Sequence, residues 1–331
     1  MSNNLPNFPV DPEPTQIEIE PASICNARCS CCPRSNMPVH GLMTRSTFER
    51  ILDMYAEARS DSSLSRLEGW ERGPRMTLAG GGEPTINPKL AEMIRDAVDR
   101  RFDIGLITNG SRMTDHMIED VVAAGISSIA VSFWGIRREE YEAAMNLPYA
   151  STLRRVINLH AACHAAAIPF QIIWVRSPEI QSSDAEVTDF WNSHGITVDI
   201  DDTTAWNRGG LLPKTPNTEA PLGVLRPDPM RRIWCSDLYF SDSYRWNGDC
   251  VLCCCNFFNK EPISLGNIQE LSYENLRQRK REILDRRPLP SMCRVCELPR
   301  ERRLQWLAGP WLGPSTREHL YASAHLAAGR E

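Results

Sequence analysis

The chain has 331 residues, of which 42% are apolar, enough to bury the core of one large or two modest domains. Its 37 basic and 42 acidic residues give a net charge of −5, which excludes an overall positive field that would attract nucleic acid or an anionic membrane. Twelve cysteines are too few for a disulfide scaffold and suit metal binding in a reducing compartment. No signal segment or long apolar run is evident. We therefore expect a cytoplasmic, oxygen-sensitive protein.

Predicted strands and helices alternate from residue 16 to residue 202, after a polar, proline-rich segment at 1–15 that we expect to be extended or disordered. The predicted strands lie near 16–21, 75–79, 103–108, 127–133, 169–175 and 196–200, and the predicted helices near 44–59, 88–101, 115–124, 151–166 and 184–194. This alternation predicts parallel strands covered by helices.

A triple-cysteine motif follows the first predicted strand. Cys25, Cys29 and Cys32 are spaced CxxxCxxC directly after the alternating segment 16–20. Three thiolates on one short loop can hold three corners of a four-iron cluster, whereas a closed electron-transfer cluster takes a fourth cysteine. The spacing therefore indicates a cluster with one open iron. Half of a zinc site is the alternative that spacing alone leaves open.

Two further motifs follow the second and third predicted strands. The run GGGEP occupies 80–84, and the run TNG at 108–110 ends an apolar segment. A glycine run by itself is typical of a tight turn. Functional groups of parallel barrels project from the carboxyl ends of the strands, and all three motifs fall there. We expect them to form one site.

In this order, the three motifs resemble those of the radical SAM superfamily. The resemblance extends from about residue 16 to residue 300 and implies an α/β fold: a partial (β/α)6 TIM-like barrel with a small C-terminal α+β iron–sulfur module. It also implies a [4Fe-4S] cluster whose open iron binds S-adenosyl-L-methionine. One electron from the cluster then cleaves that cofactor to methionine and a 5'-deoxyadenosyl radical.

The resemblance assigns roles to individual residues. Cys25, Cys29 and Cys32 are implied to bind the cluster. The residues implied to contact S-adenosylmethionine are Gly81, Gly82, Glu83, Thr108, Asn109, Ser132 and Arg176. For Ser132 and Arg176, a strand-end hydroxyl and a solvated arginine are the structural alternatives. The sequence departs from the family at Cys31, where many members have an aromatic residue that packs on the adenine.

A stretch rich in proline and glycine at 203–229 predicts a linker between the barrel at 16–202 and a second module at 230–300. This module resembles the Twitch module, a shortened relative of SPASM domains that binds one auxiliary iron–sulfur cluster. The ligands implied for a second [4Fe-4S] cluster are Cys235, Cys253, Cys293 and Cys296. A zinc knot uses the same ligand type. Residues 301–331 form a predicted C-terminal extension.

Surplus cysteines lie beside the predicted ligand Cys253. Side chains alternate along an extended strand, so Cys250 and Cys254 are predicted to point away from the face that Cys253 uses. One of them is the predicted hydrogen donor to a substrate radical, which would give an epimer. The alternatives are small buried residues or substitute ligands. The combination resembles the radical SAM epimerases of the neomycin type that act on aminoglycosides.

We expect the substrate to be a small polar molecule such as an aminoglycoside, an aminocyclitol or a sugar. Asp199, Asp201 and Asp202, near the end of the sixth strand, are candidate contacts for its amines. Three other functions remain open: a carbinol dehydrogenase assisted by the auxiliary cluster, a maturase of ribosomal peptides, and a zinc-stabilised adaptor protein. A peptide-clasping domain is not expected, because about fifteen residues precede the first strand.

The expected protein partner is an acidic, flavodoxin-like or other reductant, because arginines crowd residues 277–303. A solvated helix face is the structural alternative for these charges. We expect no nucleic-acid partner, since no aromatic stacking platform accompanies the arginines. We expect no membrane contact either.

Overall fold

The computed structural model describes residues 14–37, 40–60, 73–175, 177–201, 241–285 and 290–295. The predicted linker at 203–229 and the predicted extension at 301–331 lie outside these ranges, as do Arg176, Asp202, Cys235 and Cys296. In the described part of the chain, no helix has both the length and the apolar character needed to cross a bilayer.

In the described ranges, nine strands form one sheet in the order β6-β5-β4-β3-β2-β1-β7-β8-β9. They are β1 (Gln16–Ile19), β2 (Arg75–Leu78), β3 (Ile104–Thr108), β4 (Ser128–Ser132), β5 (Phe170–Val175), β6 (Val198–Asp201), β7 (Ser241–Tyr244), β8 (Asp249–Val251) and β9 (Ser264–Asn267). The first six are mutually parallel, which confirms the six predicted strands of the partial barrel. Their sequential order, with right-handed crossovers, places every connecting helix on the same side of the sheet.

Eight α-helices lie in the described ranges. They are α1 (Arg45–Ser60), α2 (Leu90–Asp99), α3 (Asp115–Ala123), α4 (Arg138–Met145), α5 (Tyr149–Ala165), α6 (Asp184–Ser193), α7 (Tyr273–Asp285) and α8 (Ser291–Val295). Caps explain two of the starts: Thr114 accepts the amide of Met117, and Ser183 forms a capping box with Glu186. Helix α4 was not predicted. It is short and ends at Met145. The next residue, Asn146, has a left-handed backbone that separates this helix from α5.

The two faces of the sheet differ in polarity. The face that packs on the helices is apolar and is formed by Ile17, Ile19, Met76, Leu78, Ile104, Leu106, Ile129, Val131, Ile172 and Trp174. Strand register places the alternate side chains on the inner face of the barrel, where polar residues outnumber apolar ones such as Ile107, Ala130 and Ile173. The polar residues include Glu18, Thr77, Ser128, Ser132, Gln171, Asp199, Ser241 and Ser243. The barrel therefore encloses a polar interior.

The C-terminal strands continue the barrel sheet. Strand β7 pairs in parallel with β1, so that Gln16 lies opposite Ser241 and Ile19 lies opposite Tyr244. Strands β8 and β9 then add in antiparallel fashion, and β7 and β8 form a hairpin. The second module is thus joined to the barrel through β1, the strand that leads into the triple-cysteine loop.

A buried ionic group lies between this sheet and two helices. Asp242 is completely buried on β7 and accepts a hydrogen bond of 2.6 Å from the Tyr55 hydroxyl of α1. From α7, Arg277 contacts one oxygen of the same carboxylate, and Lys280 lies 2.5 Å from the other. Burial by itself would raise the pKa of Asp242, but Arg277 and Lys280 hold it below its ordinary value. The group fixes α1 and α7 to the same strand.

We predict that Asp242→Asn lowers the free energy of unfolding by about 3–5 kcal/mol, because two cations would remain buried without a counter-charge. Asp53→Asn is the control: Asp53 forms an exposed ion pair with Arg100, and its loss should cost under about 1 kcal/mol. Urea denaturation of anaerobically purified protein, followed by tryptophan fluorescence, measures both. If both substitutions lowered the free energy of unfolding by the same small amount, Asp242 would not be the counter-charge of Arg277 and Lys280.

Candidate functional site

The triple-cysteine loop follows β1 and rests on helix α4. The amide of Arg28 donates to the carbonyl of Met145 at 3.2 Å, and the amide of Ser30 donates to the carbonyl of Ala144 at 2.9 Å. These carbonyls belong to the last turn of α4, where helix acceptors have no intrahelical partner. The helix missed by the sequence analysis therefore supports the loop that the analysis identified.

Cys25, Cys29 and Cys32 are unpaired, partly buried thiols on this loop. Burial raises the pKa of Cys25 to about 11, and it raises the pKa of Cys29 still further, with added contributions from Cys32, Cys31 and Cys25. The sulfurs are therefore close enough to influence one another's ionisation. Without metal, Cys25 and Cys29 are protonated at neutral pH, so binding of iron has to displace protons from these two thiols.

The glycine loop after β2 packs directly against the cysteine loop. The amide of Glu83 donates to the carbonyl of Ile24 at 2.9 Å. A β-carbon at Gly82 would overlap the carbonyl oxygens of Ala22 and Ile24, and one at Gly81 would lie 2.6 Å from the sulfur of Met37. Gly82 is thus required for the close approach of two backbone segments, and Gly81 leaves room for the side chain of Met37. These contacts explain the run better than a tight turn alone.

Glu83 joins the second motif to the third. Its buried carboxylate accepts hydrogen bonds from the Thr108 hydroxyl at 2.6 Å and from the Asn109 amide at 2.8 Å. Oε1 also accepts from the hydroxyl and the amide of Thr85. Oε2 accepts only the Asn109 amide among the described residues, and a carboxylate oxygen has two lone pairs. That oxygen retains capacity for a further donor.

Asn26 and Ser111 complete the connection and were not predicted. The Asn109 side chain donates to Asn26 Oδ1 at 3.0 Å, and Asn26 donates to the Ser111 hydroxyl at 2.8 Å. Ser111 in turn donates to Asn109 Oδ1 at 2.6 Å. Both residues lie inside or beside the motifs, which was the available signal. The three motifs form one hydrogen-bonded unit, as the sequence analysis expected.

Glu20 is a further buried residue that sequence reasoning missed. It follows β1 and is fully buried. Its carboxylate accepts the amide of Gly81 at 2.8 Å and the amide of Trp246 at 3.1 Å. Burial raises the pKa of Glu20 to about 7, and this rise is opposed by the two amides and by Arg245 and Arg34.

The predicted auxiliary ligands that the structure describes lie near the cysteine loop. Cys253 belongs to an apolar cluster against which Cys32 and Met292 pack. The buried members of this cluster are Met37, Val251, Cys253, Cys254, Cys255, Phe257 and Phe258. Cys293 is partly buried in α8, next to Met292. The structure therefore brings the second cysteine group alongside the first. Cys235 and Cys296 lie outside the described residues.

The two predicted hydrogen donors occupy different environments. Cys250 lies opposite Tyr244 in the β7–β8 ladder, on the sheet face that carries Asp242, and is completely buried there. That is the helix-facing side, so the geometry does not support Cys250 as a donor to substrate. Strand β8 ends at Val251, and Cys254 begins a 3-10 helix, so the alternation assumed for an extended strand does not reach Cys254. Cys254 lies instead in the apolar cluster beside Cys32.

The remaining predicted contacts are at the strand ends. Ser132 ends β4 and is half-buried on the inner face. Asp199 pairs with Ile173 of β5 and lies on the same face. Asp201 is the last residue of β6. Arg176 and Asp202 lie outside the described residues.

A parallel barrel whose first strand ends in three clustered thiols, locked to a glycine loop, defines a class of enzymes that use an iron–sulfur cluster with S-adenosylmethionine. The family comparisons agree. Residues 19–179 match the radical SAM superfamily, and residues 242–297 match the SPASM iron–sulfur cluster-binding domain. The chain carries a radical SAM domain and a C-terminal SPASM-type domain.

The chain is only distantly similar to individual known proteins. A tungsten-containing aldehyde ferredoxin oxidoreductase cofactor-modifying protein of Pyrococcus furiosus is 31% identical over 116 residues, which are 34% of this chain and 29% of that protein. BtrN, solved with AdoMet and 2-DOIA, has a TM-score of 0.55 at 18% identity and covers 87% of this chain and 94% of its own. SuiB of Streptococcus suis, bound to precursor peptide SuiA, has a TM-score of 0.58 at 14% identity. The match covers 84% of this chain and 66% of SuiB. These structures establish the fold.

The residues present fit the cofactors of this family. The radical SAM cluster takes three thiolates, and Cys25, Cys29 and Cys32 supply them from one loop. In the part of the chain that is described, no three His, Cys, Asp or Glu side chains converge on one metal ion. A four-iron cluster does not need such convergence, because each thiolate binds its own iron. The protein uses a [4Fe-4S] cluster and S-adenosylmethionine, and its SPASM domain implies additional iron–sulfur binding.

We predict that replacing Cys25, Cys29 or Cys32 by alanine removes about four of about eight irons, since one of two four-iron clusters is lost. Cys31→Ala is the matched control on the same loop and should retain all of them. Iron and sulfide analysis of anaerobically reconstituted protein measures the difference. Loss of iron from Cys31→Ala but not from Cys32→Ala would reassign the third ligand.

We predict that Glu20 makes stability fall as the pH rises. Because the pKa of Glu20 is raised to about 7 from 4.5, the folded protein keeps a proton that the unfolded chain releases within this window. Between about pH 6 and pH 8 the free energy of unfolding should fall by about 1 kcal/mol, and Glu20→Gln should lose this component. Urea titrations at both pH values measure it. An unchanged pH dependence in Glu20→Gln would refute the assignment.

Proposed function

We propose that the protein is an epimerase that inverts one carbon of a small polar substrate, with Cys254 as the hydrogen donor. The observation that carries this proposal is that Cys254 belongs to the apolar cluster that includes Met37 and against which Cys32 packs. Met37 in turn contacts Gly81 of the glycine loop. The cluster that contains this thiol, which is not needed as a predicted cluster ligand, thus adjoins both cofactor loops.

Epimerisation requires that one hydrogen atom is removed from a substrate carbon and that another is returned to the opposite face of the same carbon. When bound, the cluster and S-adenosylmethionine supply a 5'-deoxyadenosyl radical that removes a hydrogen atom from a substrate C–H bond. Cys254 returns a hydrogen atom from its thiol to the opposite face of that carbon, which leaves a sulfur-centred radical. One electron and one proton restore the thiol, and a flavodoxin-like reductant is the proposed source of the electron.

The polar interior of the barrel supports a hydroxyl- and amine-bearing substrate. Gln171, Asp199 and Ser132 are only partly buried on the inner face, on the side of the sheet formed by β4, β5 and β6. Carboxylates attract amines, and hydroxyl and amide groups bond the hydroxyls of a sugar or cyclitol. BtrN, solved with AdoMet and 2-DOIA, shares the fold over 94% of its chain, which favours a small molecule. We infer an aminoglycoside or aminocyclitol substrate.

Oxidation to a ketone is the competing proposal. The SPASM-type domain would accept the second electron from the substrate radical, and the substrate would lose a proton as the carbonyl forms. This function needs no thiol donor, so Cys254 distinguishes the two. The peptide substrate of SuiB is a weaker precedent, since this chain covers 66% of SuiB.

We predict that a panel of aminoglycosides and 2-deoxystreptamine, incubated anaerobically in heavy water, yields one product with deuterium at an inverted carbon. Cys254→Ala should abolish inversion while cleavage of S-adenosylmethionine persists, because abstraction precedes the return of hydrogen. Mass spectrometry and proton NMR measure label and configuration.

Two controls accompany this experiment. Cys250→Ala and Cys163→Ala alter buried cysteines on the helix-facing side and should retain inversion. A ketone without deuterium would establish the dehydrogenase instead. Inversion retained in Cys254→Ala but lost in Cys250→Ala would overturn the assignment of the donor.

A further inference from the structure

The turn between β7 and β8 is joined to the glycine loop through Glu20. The amide of Gly248 donates to the carbonyl of Arg245 at 2.9 Å, and Gly248 has a left-handed backbone that favours glycine. The ring of Trp246 covers Gly41 so closely that a β-carbon there would overlap it. The turn is therefore fixed in its own backbone and by an aromatic contact, and its position is well defined.

One buried carboxylate connects this turn to the glycine loop. The two oxygens of Glu20 have different partners: Oε1 accepts the amide of Gly81, and Oε2 accepts the amide of Trp246. β-Carbons at Gly80 and Gly81 would both crowd the Glu20 side chain, at 2.7 and 2.9 Å. Glu20 thus fills the space between the two segments and holds one with each oxygen.

The turn is also close in sequence to the auxiliary site. Strand β8 is three residues long, and Cys253 follows it after a single residue. Ligation of Cys253 would restrain the end of β8, and the ladder between β7 and β8 would transmit that restraint to the turn. A chain of covalent and hydrogen bonds therefore runs from Cys253 through Trp246 and Glu20 to Gly81.

We propose that Glu20 is a positioning residue that makes binding of S-adenosylmethionine depend on assembly of the auxiliary cluster. The inference requires that the glycine loop holds S-adenosylmethionine, and it is independent of the epimerisation proposed above. When the auxiliary site is unligated, the turn loses its anchor, the Trp246 amide moves, and the carboxylate no longer fixes the amide of Gly81. The auxiliary site thereby affects the glycine loop through the β7–β8 turn and Glu20.

The expected effect follows from the burial of the carboxylate. Hydrogen bonds from amides to a buried carboxylate are charge-assisted, and removing one partner leaves a buried polar group unsatisfied. Loss of one such bond at the glycine loop should weaken binding of S-adenosylmethionine about tenfold. A residue with a purely structural role would lower stability without this effect on affinity.

A double-mutant cycle tests the coupling. The dissociation constant of S-adenosylmethionine is measured by isothermal titration calorimetry on anaerobically reconstituted protein at pH 8, without reductant or substrate. The variants are Glu20→Gln, Cys253→Ala and the double variant. Iron analysis verifies that each retains the radical SAM cluster. Each single change should weaken binding about tenfold, and the double variant should be no weaker than either one.

Glu140→Gln is the matched control. Glu140 is also a buried carboxylate that accepts two backbone amides, from Gln181 and Ser182, but it lies on α4 and contacts neither loop. The affinity of the Glu140→Gln variant for S-adenosylmethionine should equal that of the unmodified protein. If Glu20→Gln does not fold, Glu20→Asp replaces it, with a smaller loss expected because the charge is kept.

Three outcomes would overturn the inference. Multiplicative losses in the double variant would show that the two sites act independently. Unchanged affinity in the Glu20 variant would show that the carboxylate does not position the loop. An equal loss in Glu140→Gln would show a general effect of removing a buried carboxylate.

Discussion

The close approach of the cysteine loop to the glycine loop is the constraint on which the rest of the site depends. At Gly82 the carbonyl oxygens of the cysteine loop occupy the space that a side chain would need. Because these two backbone segments touch, Glu83 comes within hydrogen-bonding distance of Thr108 and Asn109. Asn109 then reaches Asn26, inside the cysteine motif itself. Three segments distant in sequence are thereby fixed around one point at the carboxyl edge of the sheet.

The polarity of the two sheet faces separates stability from chemistry. Apolar side chains face the helices and supply the core, while polar ones line the interior, where they do little for stability. Strand β1 contributes to both, and it is also the strand to which the second module pairs. The Asp242 group secures this pairing from the helix side, and Glu20 secures it from the side of the cofactor loops. A single strand thus connects the core, the cofactor loops and the auxiliary domain.

Much of this arrangement could be predicted from the sequence, because its signals are local. The six barrel strands follow from short runs of alternating or continuous apolar residues between turn residues. The three motifs are recognisable from their order and from their resemblance to those of the radical SAM superfamily. Helix α4 was missed since it has only eight residues, several of them charged, and its start has no side-chain cap. The helix holds the cysteine loop through its backbone carbonyls. Because every residue has a backbone carbonyl, no residue type in the sequence indicates this role.

Other features could not be predicted, because they depend on contacts between distant residues. Glu20 is one acidic residue in an alternating strand, and its two partners lie 61 and 226 positions away. The position of Cys254 depended on where β8 ends: a strand that continued through Cys254 would have placed its side chain on the face opposite to that of Cys253. The pairing of β7 with β1 joins segments more than 200 residues apart, and periodicity carries no information about it.

The loop carrying Cys25, Cys29 and Cys32 must leave one iron free to bind S-adenosylmethionine if the site works as described. Electron–nuclear double resonance on the dithionite-reduced protein can detect this binding, with the cofactor labelled by nitrogen-15 in its amino group and oxygen-17 in its carboxylate. We expect hyperfine coupling of both labels to the reduced cluster. A spectrum unchanged by the cofactor, with neither coupling, would refute an open iron.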